Sequence, residues 1–180
     1  MMISAVVAVA ASAFAFGPNS GLNKGESVTP FHPQHVSGPL ANSDKCFPCT
    51  FQSRPQVQAW INGDDAKNVA GIAKALDKAM TQYKGSEFKA LVVFVVEDSK
   101  VAATKQVVAG YAKGLGNQVA MAVLPKSNSA VAEYKINTSG DIKNTIFAYK
   151  NWKVENKMVN LQADDKGVQA LNGAIAQLVK

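Results

Sequence analysis

An α/β sandwich around a mixed sheet is the fold class this sequence predicts, and three observations predict it. Strand and helix patterns alternate from residue 56 onward. ALVVFVV (90–96) and VAMAVL (119–124) are apolar runs without polar alternation, the mark of strands covered on both faces. TIFAYK and KVENKMVNL flank Asn151 and Trp152 as the two arms of a hairpin. Helical crossovers enforce parallel neighbours and a hairpin enforces an antiparallel pair, so the sheet must be mixed.

Taken in order, QVQAWIN (56–62) alternates polar and apolar residues, as a strand facing two environments does. GDD then opens a helix with Asp64 or Asp65 as N-cap and Val69, Ile72, Leu76, Met80 and Tyr83 on one face. After the 90–96 strand, Val101, Val108, Tyr111 and Leu115 mark a second amphipathic helix closed by Gly114 and Gly116. A short helical or extended piece is expected around 130–136, and a last helix follows the Asp164-Asp165 cap, burying Val168, Leu171, Ile175 and Leu178. Trp60 and Trp152 read as packing or rim residues. Asn137-Thr138-Ser139 is a glycosylation sequon, meaningful only in a host that modifies such sites.

Upstream of this regular pattern, residues 17–54 hold five of the seven prolines and predict an extended, turn-rich segment with one short strand near 31–36. The first fifteen residues carry an apolar run followed by A-S-A and A-F-A, the spacing of a secretory signal cleaved after Ala13 or Ala15. The run is short of the ~20 residues a membrane span needs. The expected division is therefore a signal peptide over 1–15, an extended segment over 16–54 and a folded domain over 55–180, with an extracytoplasmic, periplasmic or secreted location and no stable membrane span after cleavage.

The 180 residues carry a net charge of +6, which raises nucleic acid as a partner. Eighteen of the nineteen basic residues are lysines scattered along the chain, however, and Arg54 is the one arginine. Without the guanidinium fork or a basic run, the charge reads as a solubilising coat and no nucleic-acid partner is expected.

Every histidine and cysteine lies in HPQHVSGPLANSDKCFPC, His32 to Cys49. In an exported protein Cys46 and Cys49 are expected to be paired. Three chemistries remain open. As a redox dithiol, the two-residue spacing makes a small reducible ring, with Cys46 attacking and Cys49 resolving; Lys45 and Arg54 are the cationic neighbours, and TFQSRP leaves little room for a helix to activate Cys46. As a structural staple, a four-residue ring contributes only ~2 kcal/mol by chain entropy. As a metal site, His32, His35, Cys46 and Cys49 could supply four ligands for zinc or copper, although FHPQH does not aim both imidazoles from one helix. No cofactor motif is present: there is no glycine-rich phosphate loop, no nucleophile elbow, and no C-x-x-C-H for haem.

The plan from Val28 to Leu178 resembles the thioredoxin-like superfamily, in the branch of peroxiredoxins and extracytoplasmic thiol-disulfide proteins. GESVTPFHPQHVSGP is similar to that branch's opening, and VAMAVLPKSNSAVAEYKI with NTIFAYKNWKV to its late strand, short helix and hairpin. The resemblance implies a three-layer sandwich with a mixed central sheet and a C-terminal β-hairpin plus helix. It also implies thiol-disulfide exchange with a protein thiol or disulfide partner. Two departures accompany it. The family's reactive cysteine follows the first central strand, where this chain reads WINGDDAKN. Its cis-proline before the penultimate strand has no counterpart, which leaves Lys143 or Asn144 in that place. A peroxidase of the peroxiredoxin type is therefore not expected, and a non-catalytic binding module on the same scaffold is the alternative to exchange.

Overall fold

The computed structural model describes residues 19–116 and 118–180. The expected signal segment lies outside them. β1 (Gln34–Ser37), β2 (Gln56–Ile61), β3 (Lys89–Val96), β4 (Ala120–Pro125), β5 (Asn144–Lys150) and β6 (Lys153–Val159) form one sheet in the order β1-β4-β3-β2-β5-β6. β2, β3 and β4 run parallel, while β1, β5 and β6 pair antiparallel with their neighbours. The sheet is mixed because β2, β3 and β4 are joined by helices whereas β5 and β6 are joined by a turn.

α2 (Ala66–Gln82) and α3 (Val101–Ala112) join β2 to β3 and β3 to β4. Both crossovers step the same way across the sheet, so their common handedness puts both helices on one face. α5 (Asp165–Leu178) joins them there, and Ile72, Leu76, Val108, Leu171 and Ile175 pack on Val57, Val92 and Val123. Asp65 caps α2 by accepting the Asn68 N–H at 2.9 Å, and Asp164 caps α5 by accepting the Gly167 N–H at 2.8 Å. α3 ends at Ala112, before the glycines expected to close it.

The opposite face is covered by the N-terminal segment with α1 (Phe47–Phe51) and α4 (Ser129–Glu133). Leu22, Val28, Phe31, Leu40, Phe47 and Tyr134 pack on Trp60, Leu91, Val93 and Phe147. Phe31 stacks on Trp60 at 5.0 Å between ring centroids, and Tyr134 lies 4.7 Å from the same indole. Trp60 is therefore a core residue.

β2 departs from its expected half-exposure, since all six of its residues are buried. Its polar positions face the second core and are satisfied there: Gln58 Nε2 donates to the Tyr149 hydroxyl, and that hydroxyl donates to Gln56 Oε1, both at 2.8 Å. Trp60 Nε1 donates to Gln58 Oε1 at 3.1 Å. Alternation had marked two faces correctly, but a strand central in the sheet has both covered.

At the β5-β6 turn, Asn151 and Trp152 both have positive φ, 52° and 65°, as a two-residue turn matched to strand twist requires. Trp152 packs on the second core, and its carbonyl accepts the Val28 N–H at 3.0 Å.

Candidate functional site

Cys46 is the N-cap of α1, and its sulfur accepts the Cys49 backbone N–H at 3.1 Å. Pro48 in the first turn has no N–H to lose and a φ suited to a helix. The Cys46 carbonyl then accepts both the Thr50 N–H at 3.0 Å and its hydroxyl at 2.8 Å. One helical turn thus forms where the sequence had suggested little room for it, because proline and threonine supply its local geometry and bonding. The turn stops at Gln52, whose φ is 49° and whose N–H reaches the Pro48 carbonyl at 2.7 Å.

Cys46 and Cys49 are joined as a disulfide, with Cα atoms 5.3 Å apart. The two halves differ in access: Cys46 is only 5% exposed, whereas Cys49 is an exposed residue. That polarity is opposite to what an attacking Cys46 needs. Phe47, fully buried and edge-on to Phe51 at 4.8 Å, fixes the turn to the core.

Both histidines hold the backbone that leads into Cys46. His32 Nδ1 lies 2.9 Å from the Asp44 carbonyl oxygen, and His35 Nε2 lies 2.9 Å from that of Lys45. His35 is 4% exposed and its Nδ1 has no hydrogen-bond partner among the described residues. Burial pushes its pKa below the usual histidine value, against smaller opposing effects of the Lys45 carbonyl and the Asp44 charge. The neutral ring that donates from Nε2 to Lys45 is the form this site favours.

The four-ligand metal arrangement of His32, His35, Cys46 and Cys49 is not assembled. The sulfurs are bonded to each other and each imidazole faces a carbonyl. Among the described residues no group of three or more His, Cys, Asp or Glu side chains is placed to hold an ion. Of the cationic neighbours, Arg54 is engaged with the Phe51 carbonyl at 3.3 Å and Glu87 at 3.2 Å.

The place after β2, where the resemblance would put a reactive cysteine, holds an amide and carboxylate network instead. Asp64 Oδ2 accepts from Asn68 Nδ2 and Asn144 Nδ2, each at 2.7 Å. Asn62 Nδ2 donates to the Ile142 carbonyl at 2.9 Å, and its N–H to the Lys143 carbonyl at 2.8 Å. Lys143 N–H in turn reaches Asn160 Oδ1 at 2.7 Å. Every peptide bond among the described residues is trans, including the one that would stand for the family's cis-proline. β2, six residues long, separates this network from the disulfide turn by roughly 20 Å. Sequence reasoning read Asp64 and Asp65 as caps and missed this network. The available signal was four asparagines, at 62, 68, 144 and 160, near strand and helix ends.

No known family model matches the sequence, and no curated protein does. Solved structures do match. A protein provisionally named thiol:disulfide interchange protein DsbE, from Chlorobium tepidum, has a TM-score of 0.61 at 14% identity, covering 88% of this chain and 99% of that one. A provisionally named protein disulfide isomerase from Bacteroides thetaiotaomicron gives 0.65 at 11%, covering 90% and 94%. Peroxiredoxin Q from Xanthomonas campestris gives 0.59 at 8%, covering 90% and 100%. Together with the sheet order and helix placement, these similarities show that the chain has the thioredoxin-like fold.

Proposed function

We propose that this protein is an exported thiol-disulfide exchange protein that works through the Cys46-Cys49 pair on a protein thiol or disulfide partner. The observation that carries the reading is a C-x-x-C disulfide with one exposed member, held at a helical turn on a thioredoxin-like scaffold. The small ring keeps both sulfurs within reach of each other after reduction, so the turn can open and close without rearranging the sheet. Export is supported by the apolar segment with small-residue spacing over residues 1–15 and by the placement of both cysteines in a disulfide. Among the described residues no helix is long and apolar enough to cross a membrane.

The test is equilibration in glutathione buffers followed by alkylation and mass analysis. A potential above about −300 mV supports exchange, and one far below it, in the range of inert structural bonds, removes it. A second reading, a non-catalytic binding module with a structural disulfide, is favoured by the network of Asp64, Asn68 and Asn144 where the family's chemistry would stand. Replacing both cysteines with serine separates the two, because a binding module keeps its partner and loses no turnover.

A further inference from the structure

The structure assigns opposite roles to the two sulfurs from those their order suggests: Cys49 is the sulfur that exchanges with the partner, and Cys46 is the leaving and resolving thiolate. This inference rests on the exchange reading above and adds its direction. Thiol-disulfide proteins are commonly read with the N-terminal cysteine as the attacking one, and that reading requires Cys46 to be reachable. Here it is 5% exposed and sits behind a backbone fastened on both sides: His32 and His35 hold the carbonyls of Asp44 and Lys45, and Thr50 holds the carbonyl of Cys46 itself. Cys49 stands on the exposed side of the same turn.

Displacement at a disulfide proceeds in line with the bond, so a visiting thiolate must approach the attacked sulfur from the side away from its partner. The exposure of Cys49 and the burial of Cys46 favour that approach at Cys49. The sulfur left behind is also the one prepared for charge, since the Cys49 N–H donates to Cys46 Sγ at 3.1 Å. A hydrogen bond to sulfur favours the thiolate and makes it the better leaving group.

A partner thiolate forms a bond to Cys49 Sγ, the Cys46-Cys49 bond breaks, and the electron pair leaves on Cys46 Sγ. A second thiolate of the partner dithiol then attacks the partner sulfur of the mixed disulfide and releases Cys49 as thiolate. The partner is oxidised to a disulfide and this protein is reduced to the dithiol. Run in reverse, the Cys49 thiolate attacks a partner disulfide and Cys46 resolves the mixed species.

The experiment uses the full-length chain. Cys46→Ser and Cys49→Ser are reacted with glutathione disulfide, and in parallel the reduced wild-type protein is treated with limiting iodoacetamide and its label mapped by peptide mass. With access dominating, Cys46→Ser should form its mixed disulfide at least about tenfold faster than Cys49→Ser, and wild-type label should fall on Cys49 first. Serine keeps an N-cap acceptor at 46, and the wild-type labelling stands even if either variant misfolds. Faster reaction or first labelling at Cys46, or equal rates at both, overturns the assignment and leaves exchange intact. Failure of both cysteines to react in the native protein, with both reacting once it is unfolded, overturns the assignment and the exchange reading together.

Discussion

Asn144 grips Leu161 with both ends of its amide: Oδ1 accepts the Leu161 N–H at 2.8 Å, and Nδ2 donates to the Leu161 carbonyl at 3.0 Å. The same Nδ2 reaches Asp64, so the end of β2, the start of β5 and the strand-to-helix link after β6 are closed by one side chain. On the thioredoxin-like scaffold this corner is where chemistry would be expected. Here its polar groups are spent on one another.

Asn144→Ala should therefore behave as a stability variant. It leaves the buried Leu161 N–H without its acceptor and takes one donor from Asp64, a loss of about 2–4 kcal/mol. Urea unfolding measures it. The redox potential of the disulfide, at the other end of β2, should not move, and a shift in that potential would mean the two ends are coupled.

Tyr149→Phe tests the buried network of β2. Its hydroxyl accepts from Gln58 and donates to Gln56, so removing the oxygen orphans a donor and an acceptor at once. A cost of about 2–4 kcal/mol in denaturant unfolding follows from the desolvation of the two stranded groups. Burial holds the Tyr149 pKa well above the free value. The fold thus favours the neutral phenol: this contribution is intact below pH ~10 and is lost as alkali passes that value towards the raised pKa.

His35 makes a prediction of the opposite sign. Its pKa is lowered in the fold from the usual 6.5, so at mildly acid pH the unfolded chain binds the proton that the folded chain refuses. The stabilisation is complete above about pH 6.5 and is lost as the pH falls from there through the lower folded-state pKa. His35→Gln can keep a donor for the Lys45 carbonyl without a titrating ring. Urea midpoints taken from pH 8 to pH 5 should fall less for the variant than for the wild type, and parallel curves would refute the assignment of the slope to His35.

Gly38→Ala should be costly for a backbone reason. Gly38 has φ of +81°, and an added Cβ would stand 2.6 Å from the Val119 carbonyl oxygen and 2.7 Å from the Ala120 Cα. Those are backbone atoms at the start of β4 and cannot rotate away. β1 must separate from β4 or bend, at a cost of about 2–4 kcal/mol, measured by thermal or urea unfolding. Because His35 sits three residues earlier, on the strand that ends just before Gly38, the variant should also loosen the Lys45 carbonyl and speed alkylation of Cys46 in the reduced protein.

The sequence by itself determined the order of elements from β2 onward, the mixed sheet and the proximity of the two cysteines. Those follow from local periodicity, from Asp65 and Asp164 as caps, from the Asn151-Trp152 turn and from a two-residue spacing. It could not say that Gln56 and Gln58 are buried, because their partners stand about ninety residues away on β5. Nor could it tell Cys46 from Cys49, since both lie in one short motif and only the N-terminal segment folding over the sheet decides which is covered. Local sequence writes the backbone's conformational preferences; burial is a property of what is brought against that backbone from elsewhere, and here burial decides which sulfur a partner can meet.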